Sequence, residues 1–83
     1  DDHSKIFLLP NKFEKWYTKN TPISLIPIGK VAGITTNNLF YPLNNEELTI
    51  GYRTGSSNRV TEDGIVKIEH QNGDLLLMEC WDN

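Results

Sequence analysis

The chain is poor in the features that announce a function most readily. It has one cysteine, Cys80, in 83 residues, so it forms no internal disulfide and builds no thiolate metal cage from its own residues. No apolar run approaches the roughly 20 residues that span a bilayer as a helix. The first residues lack the basic, apolar, small-residue order of a secretory leader. They begin Asp1-Asp2 rather than Met, as expected of a processed product, a trimmed chain or a domain of a longer protein. No N-x-S/T acceptor is present, because Asn20-Thr21 runs into Pro22. Together these absences favour a small soluble domain with a cytoplasmic or virion-interior home and no membrane contact, a processed, exported or phage-encoded protein being the alternative.

Basic residues are also scarce. The net charge is −3, which counts against bulk nucleic-acid binding, where many Lys and Arg contacts to phosphate are needed. The charge is uneven: residues 1–41 carry +2 and residues 42–83 carry −5. An acidic second half fits a basic partner or a solvated surface. With 37% hydrophobic and 23% charged residues, the composition is that of a globular domain. The length suits one domain, residues 1–83, with one modest core.

What is present reads mainly as β. "PNKFEKWYTKNTP" is the exception. Asn11 and Glu14 have capping-box spacing, and Phe13, Trp16 and Tyr17 fall at i, i+3, i+4, which predicts a short N-terminal helix ended by Pro22. From Ile23 onward β-branched residues dominate, with Gly29 and Gly33 as expected bends. "ELTIGYR" alternates, and "GIVKIEH" followed by "DLLLMECW" reads as a closing hairpin. The expected fold is a small antiparallel bent sheet or open barrel of the SH3-like or OB-like kind, with five or six strands and one helix. An α+β arrangement with the helix on one sheet face is the alternative.

The register of that hairpin decides which side chains meet. A two-residue Asn72-Gly73 turn sets Val66 opposite Glu79. A three-residue loop with Gly73 in the left-handed region pairs His70 with Asp74 and Val66 with Met78. The second arrangement gathers Val66, Ile68, Leu76, Met78 and Cys80 on one face, and Ile65, Lys67, Glu69, Leu75, Leu77 and Glu79 on the other. It leaves Leu75 and Leu77 on a polar face in need of cover, from the helix, a barrel wall or another protein.

Reactive residues do not assemble into a catalytic set. In that register Cys80 and His70 lie on the order of 20 Å apart along the strand, too far for a nucleophile pair, and Cys80 reads as a small core residue. His70 with Asp74 is half of a triad or metal site, or an ion pair that staples the turn. "RTGSSNR" offers Gly55 and Ser56 donors flanked by Arg53 and Arg59, either an anion cradle or an ordinary strand connection. Tyr41 and Tyr52 could join Arg53 and Arg59 in stacking single-stranded bases.

The sequence therefore favours a non-enzymatic protein-binding module, of inhibitor, immunity-type, adaptor or assembly-subunit kind, with Leu75, Leu77, Glu79 and Lys67 as its partner surface. No metal, cofactor or catalytic residue is assigned. A nucleic-acid-binding barrel is the second reading. A hydrolase or metal site at the last hairpin is the third.

Overall fold

The computed structural model describes residues 2–49 and 55–82. Seven strands follow one another: β1 (Asp2–Leu8), β2 (Lys12–Tyr17), β3 (Pro22–Asn37), β4 (Glu46–Thr49), β5 (Gly55–Arg59), β6 (Gly64–Glu69) and β7 (Asn72–Asp82). They form one antiparallel sheet in the order β1-β7-β3-β6-β2, with β4 and β5 on the other edge of β3. The expected curled antiparallel sheet is therefore present.

The expected helix is absent among the described residues. Residues 12–17 are strand β2, paired with β6 from Lys12↔Glu69 to Tyr17↔Gly64. Phe13 and Tyr17 fit a helical stripe and a strand alternation equally well, so Trp16 discriminates. A helix would bury it with the other two aromatics, but it is 55% exposed, as alternation demands. Asn11 caps nothing. Its side-chain Nδ2 donates to the carbonyl of His70 at 3.0 Å and tethers β2 to the far end of β6.

The closing hairpin is absent too. β6 and β7 do not pair with each other; both pair with β3. Thr35↔Glu69, Thr36↔Ile68 and Asn37↔Lys67 join β3 to β6, and Ile23↔Glu79 through Ile28↔Asp74 join it to β7. β6 and β7 thus run on as one bent partner of β3. The register shifts between Ile28 and Ala32, where β3 holds two more residues than its partner. Gly29, at φ 74°, lies in that bulge. Gly73, at φ 94°, packs so closely on β3 that a Cβ would lie 2.4 Å from the Lys30 carbonyl oxygen. It does adopt positive φ, though in a corner rather than a hairpin turn.

This corner changes which residues face inward. On β6, Val66 and Ile68 are buried; on β7, past the Gly73 kink, the buried set is Leu75, Leu77 and Glu79. Leu75 and Leu77 are completely buried and pack with Ile23, Leu25, Ile34, Leu48 and Ile68 in the core. The expected Leu75/Leu77 partner patch is therefore core, because the sheet's own curl supplies the cover. Cys80 shows the converse. It sits opposite Ser4, half-buried, on the face away from the core. Lys67 is exposed.

Candidate functional site

Cross-strand register brings the chemistry together. Asn58 on β5, Ile23 on β3, Glu79 on β7 and Lys5 on β1 form one row across the sheet. Glu79 shares the inward side of β7 with Leu75 and Leu77, and is only 4% exposed. A carboxylate buried there needs partners. β2 provides them from the facing wall. Lys15 Nζ donates to both Glu79 oxygens, at 2.9 Å and 3.0 Å, and Tyr17 Oη donates to Oε2.

The electrostatics follow from these contacts. Burial raises the Tyr17 phenol well above its ordinary value, and the hydrogen bond and charge of Glu79 raise it further. Burial also pushes Glu79 upward. Hydrogen bonds from Tyr17 and Lys15 and the charges of Lys15 and Lys5 outweigh that push, so its carboxyl lies below the usual range. The pair is an ionised glutamate held by a neutral phenol and a cation.

Beside this triad opens a groove of 390 Å³ at the mouth of the curled sheet. Trp16 and Trp81 line it with Tyr17, and Lys5, Lys15 and Glu79 supply its charges. Trp16 is 55% exposed and Trp81 42%. Trp81 is steadied by His3, whose ring stacks on it at 6.0 Å between centroids. The groove offers indole faces for a flat ring, a hydrogen-bonding floor, and ammonium groups on its wall.

The other candidate residues disperse. His70 and Asp74 do not face each other: His70 is buried, while Asp74 is exposed and pairs with Ile28. The reason is the missing hairpin turn, and no group of three His, Cys, Asp or Glu residues fit to hold a metal occurs among the described residues. Gly55 and Ser56 form the start of β5 rather than a loop. Arg59 stacks its guanidinium over the Phe40 ring, at 3.9 Å from the centroid, and Tyr41 is 60% exposed nearby. Arg53 and Tyr52 lie outside the described residues. Of the expected site residues among the described ones, Glu79 alone reaches the groove. Lys5, Lys15, Trp16, Tyr17 and Trp81 were not expected there. The available signal was parity: Leu75, Leu77 and Glu79 continue one alternation, and an acid in an apolar series marks a buried charge with partners.

Fold and groove together define a curled antiparallel β-domain with a ligand-sized, aromatic-walled opening. The family described as thiamin pyrophosphokinase, vitamin B1 binding domain, matches residues 11–75, and the chain belongs to that family. Solved structures agree on the fold. Thiamine pyrophosphokinase from Bacillus subtilis superposes with a TM-score of 0.78 at 24% identity, covering 99% of this chain. The enzyme from Geobacillus thermodenitrificans gives 0.78 at 22% identity with the same coverage, and the yeast enzyme 0.76 at 25% identity over 94%. The chain spans 38% of the length of each bacterial enzyme and 27% of the yeast one. No curated protein sequence matches it.

These findings overturn the protein-binding reading. The matching family is described by a vitamin, and of the surface that reading relied on Leu75, Leu77 and Glu79 are buried while only Lys67 is exposed. The family's description names a small molecule rather than a protein or nucleic-acid partner. Among the described residues no helix is long and apolar enough to cross a membrane.

Proposed function

We propose that this chain binds thiamine, and that it is the vitamin-binding part of a thiamin pyrophosphokinase. The family match over residues 11–75 carries this reading. The groove's chemistry supports it. Thiamine joins an aminopyrimidine to a cationic thiazolium ring, and flat heteroaromatic rings suit indole walls. The Glu79–Tyr17 floor offers hydrogen bonds to the aminopyrimidine. Lys15 neutralises Glu79, so stacking and hydrogen bonding recognise the ring rather than a free carboxylate. Lys15, Trp16, Tyr17, Thr18 and Thr21 of the groove lie within the matched residues; Lys5, Glu79 and Trp81 lie outside them.

In such an enzyme this domain would position the vitamin, and pyrophosphoryl transfer would fall to the remainder, since the chain spans 38% of the bacterial enzyme. We further propose that residues 1–83 fold as one domain and that the protein works in the cytoplasm, where a single half-buried thiol stays reduced.

Titration of the 83-residue chain with thiamine, followed by tryptophan fluorescence and calorimetry, tests the reading. Saturable binding with a change in tryptophan emission is expected, since both tryptophans, Trp16 and Trp81, line the groove. Calorimetry without binding heat, together with unchanged emission, overturns it.

A further inference from the structure

The curled sheet turns two outward walls to solvent, and they differ in character. On the wall of β2 and β6, opposite charges face each other across the ladder, as Lys12↔Glu69 and Glu14↔Lys67. All four side chains are exposed, as on an ordinary solvated sheet face. The wall of β1, β7 and β3 is apolar instead. Ladder register sets Leu8, Leu76 and Ile26 in one row and Ile6, Met78 and Ser24 in the next, with Ile28 beyond them opposite Asp74. These positions alternate with the buried Ile23, Leu25, Leu75 and Leu77, so they point away from the core. Ile6, Leu8 and Ile28 are each more than half exposed. Leu76, Met78 and Ile26, with a strand on either side, are partly exposed between them.

Six apolar side chains in contact present on the order of 400 Å², the size of patch that marks a contact surface on a small protein. With their polar rim, two such faces would bury on the order of 1,200 Å² between them, the low end of a specific interface.

Charge selects the occupant. Asp74 is the one charged residue in these rows. An anionic lipid surface finds no Lys or Arg there, and a basic partner finds a single carboxylate. A second copy, itself at net −3, can close on this face because the repelling charges lie elsewhere. The rows also complement themselves. Under a twofold axis along β7, Leu76 and Met78 meet their own counterparts, Leu8 lies over Ile26, and the large Ile6 lies over the small Ser24.

We propose that β1, β7 and β3 stack on the same face of a second copy of this chain, forming an isologous dimer. The aromatic groove stays open, because Lys5, Glu79 and Trp81 occupy the alternate positions of β1 and β7 on the other side of the sheet. In this arrangement Asp74 is the one like-charge contact, brought near its own counterpart.

Sedimentation equilibrium of the 83-residue chain tests the dimer. A monomer–dimer equilibrium with a Kd in the micromolar range is expected. Leu8→Glu and Ile28→Glu are each expected to weaken it at least tenfold, and Asp74→Asn to tighten it. Ile65→Glu makes the same change on the charged wall and is expected to leave it unaltered. All four side chains are exposed or line the surface, and circular dichroism checks that each variant keeps the wild-type fold. A chain that stays monomeric at about 1 mM overturns the dimer. So do association unchanged in both Leu8→Glu and Ile28→Glu, equal weakening by Ile65→Glu, or growth into species beyond two copies.

Discussion

Tyr17 and Glu79 stand 62 positions apart in sequence, yet the phenol donates its proton to the carboxylate across the mouth of the sheet. The bond joins β2 to β7, two strands that are not neighbours in the ladder. It holds the groove walls together through side chains where no backbone pairing does so.

That bond sets an acid limit on stability. The Glu79 carboxyl is depressed in the folded protein, so below its unfolded value of about 4.3 the unfolded chain binds more protons than the folded one. Stability contributed by Glu79 is complete above that pH and is lost as pH falls through the folded value. Glu79→Gln is expected to lower stability at neutral pH by about 2 kcal/mol and to flatten this acid limb. Urea midpoints across the acid range measure both. A variant with the wild-type acid profile contradicts the assignment.

The phenol sets an alkaline limit of the opposite sign. Tyr17 is raised in the folded state, so its contribution is complete below about pH 10 and declines as pH climbs above that unfolded value. Tyr17→Phe removes this alkaline decline, as absorbance at the tyrosinate band and parallel denaturation curves will show. Persistence of the same decline in Tyr17→Phe assigns it to another group.

The strand content and curl of the sheet were legible because β-branched residues and alternation report them directly. The helix expected at Phe13–Tyr17 failed because two of its three aromatics satisfy both periods. Only the surroundings of Trp16 settle the choice, and these come from β6, some fifty residues away. The hairpin failed for a related reason. "HQNGD" holds turn residues, but Gly73 serves a kink against Lys30 and Val31, a tertiary approach that no local pattern reveals. The site followed the hairpin: with the true phase Glu79 points inward to Tyr17, and with the expected register it points to solvent.

If the groove holds thiamine, its tryptophans supply ring contacts. Trp16→Ala and Trp81→Ala are each expected to weaken thiamine binding about tenfold, the scale of one aromatic contact, with a smaller change in the denaturation midpoint than a core substitution gives, because both side chains are about half exposed. Calorimetric Kd values equal to wild type in both variants place the vitamin elsewhere.

Neighbouring leucines on β7 separate core from surface. Leu77 is completely buried, whereas Leu76 is partly exposed on the other face. Leu77→Ala is expected to cost about 2–5 kcal/mol, and Leu76→Ala well under half of that, by equilibrium denaturation. Equal losses contradict the phase assigned to β7.

Gly73 is predicted to be the least replaceable residue of the corner. An added Cβ meets the Lys30 carbonyl oxygen and the Val31 backbone at a φ of 94°, so Gly73→Ala combines strain of about 1–3 kcal/mol with a clash that only backbone movement relieves. A thermal midpoint within a degree of wild type refutes this.

β3 pairs with four other strands, β4, β5, β6 and β7, and so serves as a common spine. Loss of β3 would strip β4, β5, β6 and β7 of a partner at once. Melting is therefore expected in a single step, and the β3 amides paired to β7 should be the last to exchange their hydrogens with solvent.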